Sequence, residues 1–192
     1  MIQIRIAPNE RYSASEMGQM AVEGGCGWIV LSLPGAEPGE WRDIATDLVP
    51  LCREAGVIMT VEDNVAAVRE LEAHGVYLHI GANAAAVRED LGPEAIVGAE
   101  IGAADAAVTL AKADIDYFTF SPQVTEPAAI IEAARKGGVE VPFVAVCSAA
   151  EIIENDKKYF ADGYAGFYVT SGVFDTADPV AMVEQLVRRY NE

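Results

Sequence analysis

The sequence is short of basic residues and has no long apolar run. It contains 13 lysines and arginines against 30 aspartates and glutamates, which gives a formal charge of −17. Such a surface repels nucleic acid and anionic lipid, so binding that depends on a basic patch is excluded. No apolar run approaches the roughly 20 residues of a membrane-spanning helix, and the N-terminal residues lack a signal-peptide pattern. We expect a soluble, cytoplasmic protein with no nucleic-acid or membrane partner.

Cysteine is also scarce. The three cysteines, Cys26, Cys52 and Cys147, are an odd number without metal-site spacing. A disulfide framework is therefore not expected, and reduced thiols are typical of the cytosol. With only 9 prolines and 52% hydrophobic residues, the chain is expected to fold around a large core. No linker or low-complexity tract divides it, so we predict one domain over residues 1–192.

Residues 57–81 contain one complete strand, helix, strand unit. A short apolar run at 57–61 ends in three polar residues, and apolar residues then recur at helical spacing. Gly75 is expected to end this helix, and a second apolar run covers residues 76–80. Two strands joined by a single helix run parallel, and a parallel sheet carries its helices on the outside.

The rest of the chain repeats this unit, which predicts eight strands and eight helices in alternation. Capping-box spacing at Ser13 with Glu16, and at Ser148 with Glu151, marks two helix starts. The predicted strands cover residues 2–6, 28–33, 57–61, 76–80, 95–101, 116–120, 141–146 and 167–170. We predict an α/β fold, a (β/α)8 TIM barrel near the lower size limit of about 200 residues. An open doubly wound sheet is the alternative.

Polar residues follow most of the predicted strands, whereas the strands themselves are apolar. In a TIM barrel the loops after the strands converge on one mouth, where ligands bind. The polar residues at these positions, together with one cysteine, are Asn9, Ser32, Glu62, Asp63, His79, Glu100, Ser121, Cys147, Ser148, Thr170 and Ser171. We expect them to lie around one site although they are far apart in sequence.

Several segments match a known family in order and character. They read LCREAGVIMTVEDNVAAVRELEAHGVYLHIG, LGPEAIVGAEIG, ADIDYFTFSP, VPFVAV and AGFYVTSGVF. With these segments the chain resembles thiamine phosphate synthase and its relative TenI, the thiazole tautomerase. The resemblance implies a TIM barrel and a transferase of thiamine biosynthesis. Such an enzyme joins a pyrimidine diphosphate to a thiazole phosphate and expels pyrophosphate with help from Mg²⁺.

The family's charged groups are only partly present in this sequence. Its second strand carries Gln, Arg and Lys where this chain has Val30, Ser32 and Pro34. Of the two aspartates that the family uses for Mg²⁺, Asp63 matches one, and the stretch 81–83 replaces the other. The tautomerase histidine after strand five corresponds to Gly102. Departing diphosphate needs cationic and N–H donors, and losing one such donor typically costs about 3 to 4 kcal/mol.

The candidate site residues are those that remain at the strand ends. Glu62, His79 and Glu100 are the predicted catalytic residues, because carboxylates and an imidazole can act as acid and base. Against this, His79 could be structural, and Arg5 could pair with Glu62 or Glu100. Asp63 is the predicted metal ligand, with capping of the next helix as its alternative role.

A phosphate site is predicted at the end of strand eight. Ser171 and Gly172 could present backbone N–H groups to a phosphate, with Ser148 at the end of strand seven beside them. An ordinary Ser-Gly turn is the alternative. The expected partner is a small molecule, by resemblance a phosphorylated heterocycle, and a homodimer is left open.

Three functions follow from these residues. The first is a divergent enzyme of the thiamine phosphate synthase group. The second is a barrel that kept the scaffold, lost the reaction, and binds a ligand or partner. The third is an unrelated metal-dependent enzyme that uses Glu62, Asp63 and Glu100.

Overall fold

Strands and helices alternate along the whole chain. The computed structural model describes the backbone of residues 1–192 and every side chain except those of residues 38, 40 and 45, and across it there are eight strands and eight helices. They are β1 Ile2–Ile6, α1 Ala14–Glu23, β2 Trp28–Leu31, α2 Pro38–Ala55, β3 Ile58–Glu62, α3 Val65–Glu70, β4 Gly75–Leu78, α4 Ala84–Leu91, β5 Ile96–Ile101, α5 Ala104–Ala111, β6 Tyr117–Phe120, α6 Pro127–Lys136, β7 Val144–Ser148, α7 Ala149–Ala161, β8 Gly166–Ser171 and α8 Pro179–Asn191.

The strands form a nearly closed parallel barrel. Each strand from β1 to β6 pairs with the next, β1 also pairs with β8, and β7 pairs with β8. Among the described residues, β6 and β7 are joined by one bridge between Phe118 and Phe143, and the Phe118 N–H donates to the Pro142 carbonyl at 2.9 Å. The (β/α)8 TIM barrel is therefore confirmed, and the open doubly wound alternative is wrong because the two end strands of this order, β6 and β7, are joined to each other.

The described buried apolar side chains fall into two clusters, one on each face of the barrel wall. The larger cluster lies between strands and helices and includes Ile4 and Ile6, both 0% exposed. The smaller cluster fills the barrel interior with Trp28, Val30, Tyr77, Tyr117, Val144 and Tyr168. Since side chains alternate along a strand, the positions between the outward apolar residues point into the barrel. At the carboxyl ends of the strands these inward positions carry polar residues, and there the barrel opens.

Local sequence signals explain most helix starts. The predicted capping boxes form at both sites: the Ser13 and Ser148 hydroxyls accept from the Glu16 and Glu151 backbones, and each glutamate reaches back to its cap. The prediction for Gly75 was wrong. Helix α3 ends at Glu70, and Gly75 is the first residue of β4. Glycine is needed there because a Cβ would overlap the backbone of Ile96.

Most strand boundaries differ from the sequence prediction by a few residues, and two of these changes affect the mouth. Strand β4 ends at Leu78 rather than at residue 80, so His79 is the first residue beyond it. Strand β7 covers Val144–Ser148 rather than 141–146, which brings Ser148 into the last ladder position opposite Ser171. None of the described helices combines the length and apolar character that crossing a bilayer requires.

Candidate functional site at the barrel mouth

The predicted catalytic residues meet in the barrel mouth. His79 Nε2 lies 3.3 Å from Glu62 Oε1 and 3.9 Å from Glu100 Oε2. These three residues come from the ends of β3, β4 and β5, which are neighbours in the barrel. The side chains of Glu62 and Glu100 are 7% and 6% exposed, whereas that of His79 is 45% exposed. The site thus places an accessible imidazole against two nearly buried carboxylates.

Asp63 holds the imidazole of His79. Its Oδ2 lies 2.6 Å from His79 Nδ1, and its Oδ1 accepts the His79 backbone N–H at 2.9 Å. Because Asp63 lies closer to Nδ1 than Glu62 lies to Nε2, it favours the tautomer with a proton on Nδ1, and Nε2 faces the two glutamates. The edge of the ring packs against Tyr77, with 5.1 Å between ring centroids.

The helix-capping role considered for Asp63 is wrong. Asn64 is the N-cap of α3, and its Oδ1 accepts from the Ala67 N–H at 3.1 Å. Asp63 itself has a positive φ of 55°, a left-handed conformation that Asp and Asn adopt more readily than most residues. This turn directs its carboxylate toward His79 instead of toward the helix.

Glu62 is the most connected carboxylate of the site. Arg5 Nε and Nη2 donate to its Oε2 at 3.1 and 3.0 Å, and the Tyr168 hydroxyl donates to its Oε1 at 3.4 Å. Burial, and after it the charge of Glu62, raises the pKa of Tyr168 well above its ordinary value. Tyr168 therefore stays protonated and serves as a donor. The predicted ion pair of Arg5 forms with Glu62, and its Nη2 also donates to Ser32 Oγ at 2.7 Å.

The predicted phosphate-binding residues also come together. Ser148 and Ser171 are paired across an irregularity between β7 and β8, and Gly172 follows with a φ of 80°. A cavity of about 140 Å³ is lined by this turn, from Thr170 to Asp175, and by Arg5. The Ser148 hydroxyl is engaged in its capping box, where it donates to Glu151 Oε2 at 2.8 Å. A phosphate at this turn would thus meet Ser171 and Gly172 more readily than Ser148.

The same geometry bears on the magnesium ion that the resemblance implied. Both carboxylate oxygens of Asp63 lie against His79, so a metal there would share this carboxylate with the histidine. In the part of the chain that the structure describes, no group of three or more His, Cys, Asp or Glu residues is arranged to hold a metal ion. The Asp63 ligand role therefore stays an untested prediction.

Sequence reasoning underestimated two residues of the mouth. Arg5 was considered only as a structural ion-pair partner, yet it lines two cavities beside the site. Tyr168 was not considered, although its place two residues before Thr170 in β8 puts it on the inward side of the strand. Both follow from strand alternation once the strand boundaries are known.

Comparisons with known proteins agree with this architecture. Residues 6–146 match the model of the family described as thiamine monophosphate synthase. A thiamine-phosphate synthase from Bacteroides fragilis is 27% identical, over 93% of this chain and 94% of that protein. One from Laribacter hongkongensis is 29% identical, over 88% of this chain and 83% of that protein.

Solved structures show the same fold at lower sequence identity. The thiamine phosphate pyrophosphorylase from Pyrococcus furiosus has a TM-score of 0.78 at 24% identity, covering 99% of this chain and 94% of that one. A structure described as native KDPGal has a TM-score of 0.70 at 15% identity, covering 99% and 93%. Since the family match extends over most of the sequence, the chain belongs to the thiamine monophosphate synthase family.

Proposed function

We propose that this chain is a divergent member of its family that binds a small phosphorylated heterocycle in the barrel mouth and exchanges protons with it through His79. The observation that carries the proposal is the position of His79, fixed by Asp63 and facing Glu62 and Glu100. The names of its relatives support a link to thiamine biosynthesis, with a phosphorylated thiazole as the first ligand to test.

Each residue of the cluster has a chemical role in this proposal. Asp63 accepts a hydrogen bond from Nδ1–H, which leaves Nε2 as the nitrogen that exchanges a proton with the ligand. Glu62 and Glu100 lie close enough to Nε2 to receive or return that proton, directly or through one water. Tyr168 and Arg5 hold Glu62 in position. The turn at Ser171 and Gly172 anchors the phosphate through backbone N–H groups.

Efficient joining of two precursors with loss of pyrophosphate is less well supported. The positions of three family contacts are occupied by Val30, Ser32 and Pro34, which carry no charge. Since loss of one preorganised donor costs about 3 to 4 kcal/mol, loss of several leaves little stabilisation for a departing diphosphate. Arg5 restores one cation beside Ser32, but it is already paired with Glu62.

The second candidate is a barrel that binds a ligand without turnover, and the missing cations favour it. It shares the fold and the phosphate turn with the first candidate but assigns no chemistry to His79. The third candidate, an unrelated metal-dependent enzyme, has less support because the described residues offer no group of three ligands to a metal.

Calorimetry and histidine NMR distinguish these candidates. The chain has two histidines, and His74 lies before β4, where its Nδ1 accepts the Met59 N–H at 3.1 Å. We expect thiazole phosphate to release heat with or without Mg²⁺ and to shift the imidazole signals of His79 but not those of His74. If neither heat nor a His79 shift is observed, the proposal is wrong.

Turnover assays distinguish the first candidate function from the second. Any product formed from thiazole phosphate, alone or with pyrimidine diphosphate, should decrease about a hundredfold or more in His79→Gln, as expected for loss of an acid–base group. His74→Gln is the matched control and should retain turnover. Binding without turnover under all conditions would favour the second candidate. Metal analysis of the purified protein and of Glu62→Ala would test the third.

A further inference from the structure

Glu62 and Ser32 do not use all the hydrogen-bond donors of Arg5. A guanidinium carries five N–H groups. Arg5 uses Nε–H and both Nη2 N–H groups for Glu62 Oε2 and Ser32 Oγ. The hydrogen bonds to Glu62 and Ser32 use no N–H of Nη1, and the Tyr168 hydroxyl also interacts with the guanidinium. The side chain remains 31% exposed, although its partner Glu62 is 7% exposed.

Arg5 lines two cavities. One, of about 140 Å³, is formed with the turn at residues 170–175 and with Asn9. The other, of about 430 Å³, is formed with Pro8 and the loop at residues 32–36. Of the described residues that line these cavities, Arg5 alone is basic. In a chain of formal charge −17, an anion entering either cavity depends on this guanidinium.

The size of the smaller cavity restricts what it can hold. Pockets for whole ligands generally have volumes of roughly 300 Å³ or more, so 140 Å³ suits a single charged group rather than a heterocycle. One wall offers the backbone of Ser171 and of Gly172, whose φ of 80° forms a tight turn. Arg5 lines the same cavity, and a guanidinium is well matched to phosphate oxygens.

We propose that Arg5 is the residue that selects a phosphate monoester over the corresponding alcohol. Its Nη1 N–H groups bind the phosphate, while Glu62 and Ser32 position the guanidinium. This inference deepens the proposed function and rests on it for the identity of the ligand. The cation that recognises the phosphate would then be Arg5 of strand β1.

The test compares a charged and an uncharged ligand in matched arginine variants. Inorganic phosphate, a thiazole phosphate and the unphosphorylated thiazole alcohol are titrated calorimetrically into wild type, Arg5→Gln, Arg5→Lys and Arg11→Gln. Arg11 is the control, because it is exposed and donates to the Thr176 carbonyl at 3.1 Å near the same turn, yet it does not line the cavity. The double variant Arg5→Gln with Glu62→Gln removes the pair together and keeps the experiment interpretable if Arg5→Gln unfolds.

We expect Arg5→Gln to weaken phosphate and thiazole phosphate binding at least about tenfold, the effect of losing a charge-assisted hydrogen bond. Binding of the alcohol should change less than about twofold, Arg5→Lys should be intermediate, and Arg11→Gln should resemble wild type. The double variant should also lose phosphate binding. Equal losses for phosphate and alcohol, an equal effect of Arg11→Gln, or no phosphate binding by wild type would overturn the inference.

The same experiment separates this inference from the proposed function. If wild type binds inorganic phosphate through Arg5 but does not bind thiazole phosphate, the proposed function fails and Arg5 is still shown to bind phosphate. If thiazole phosphate binds and reacts equally well without Arg5, the role of Arg5 fails and the proposed function stands.

Discussion

The ion pair between Arg5 and Glu62 should contribute more to stability than an exposed pair of the same chemistry. The Glu62 side chain is 7% exposed and that of Arg5 is 31% exposed, with 3.0 Å between Nη2 and Oε2. Arg53 and Glu72 form a pair at 2.7 Å, but their side chains are 67% and 76% exposed. The two pairs therefore differ mainly in burial, which makes the second a control for the first.

The expected magnitudes follow from that burial. Removing one partner of a buried pair typically costs about 3 to 5 kcal/mol, whereas exposed pairs contribute about 0.2 to 1 kcal/mol. Because Arg5 is partly exposed and keeps Ser32 as an acceptor, we expect a coupling free energy of about 2 kcal/mol for Arg5 with Glu62. For Arg53 with Glu72 we expect less than about 0.5 kcal/mol.

Double-mutant cycles measure both quantities. Glutamine replaces each residue singly and in pairs, and the free energy of unfolding is obtained from urea titrations followed by circular dichroism. In about 1 M salt, where the screening length falls to about 3 Å, the exposed coupling should vanish and most of the buried coupling should persist. Couplings that agree within about 0.5 kcal/mol would refute the reasoning, because burial would then make no difference.

Three further predictions address the barrel wall, the thiols and the histidine. Gly75→Ala should destabilise the protein by more than about 4 kcal/mol in urea titrations, since its Cβ would overlap a neighbouring strand. The control Gly27→Ala, whose Cβ would meet nothing within 4 Å, should cost less than about 1 kcal/mol. Similar costs for the two variants would contradict this prediction. Burial raises the pKa of Cys147 to about 12 and that of the other two thiols to about 11. A thiol reagent at neutral pH should therefore modify the cysteines only after denaturation. Rapid modification of the native protein would contradict their burial. Asp63→Asn preserves the left-handed turn and should lower the free energy of unfolding by less than about 1 kcal/mol. Nitrogen NMR of this variant should show that His79 loses its preference for a protonated Nδ1. An unchanged tautomer would show that Asp63 does not determine the protonated nitrogen of the ring.

The fold was predictable because the same unit is repeated eight times. Apolar runs, helical spacing and capping boxes all indicated one architecture, and consistent local signals are what specify a fold. Closure of the barrel followed from the count of strands. The meeting of Glu62, His79 and Glu100 was predictable for the same reason, since strand ends share one mouth.

Details that depend on single backbone angles or close contacts were not predictable. Asp63 and Asn64 are both good capping residues, and only the positive φ of Asp63 decides that Asn64 is the cap. Gly75 was assigned to a helix end because glycine is common there, whereas its function is to allow close contact with the Ile96 backbone. No sequence pattern distinguishes these two uses of glycine.

The contacts that a long side chain makes with neighbouring strands were also not predictable from the sequence. Alternation placed Arg5 on the polar side of β1 but could not show that its guanidinium contacts Ser32 on the next strand. That contact changes the electrostatics of the mouth, because the position that lacks a cation in β2 receives one from β1. Such compensation appears only when the neighbouring strands are seen together.

The most direct test of the account is a crystal structure of the protein with thiazole phosphate at saturating concentration. We expect the phosphate between Arg5 and the turn at Ser171 and Gly172, and the heterocycle in contact with His79. A ligand bound elsewhere, or a barrel mouth without ligand under these conditions, would contradict the central claim.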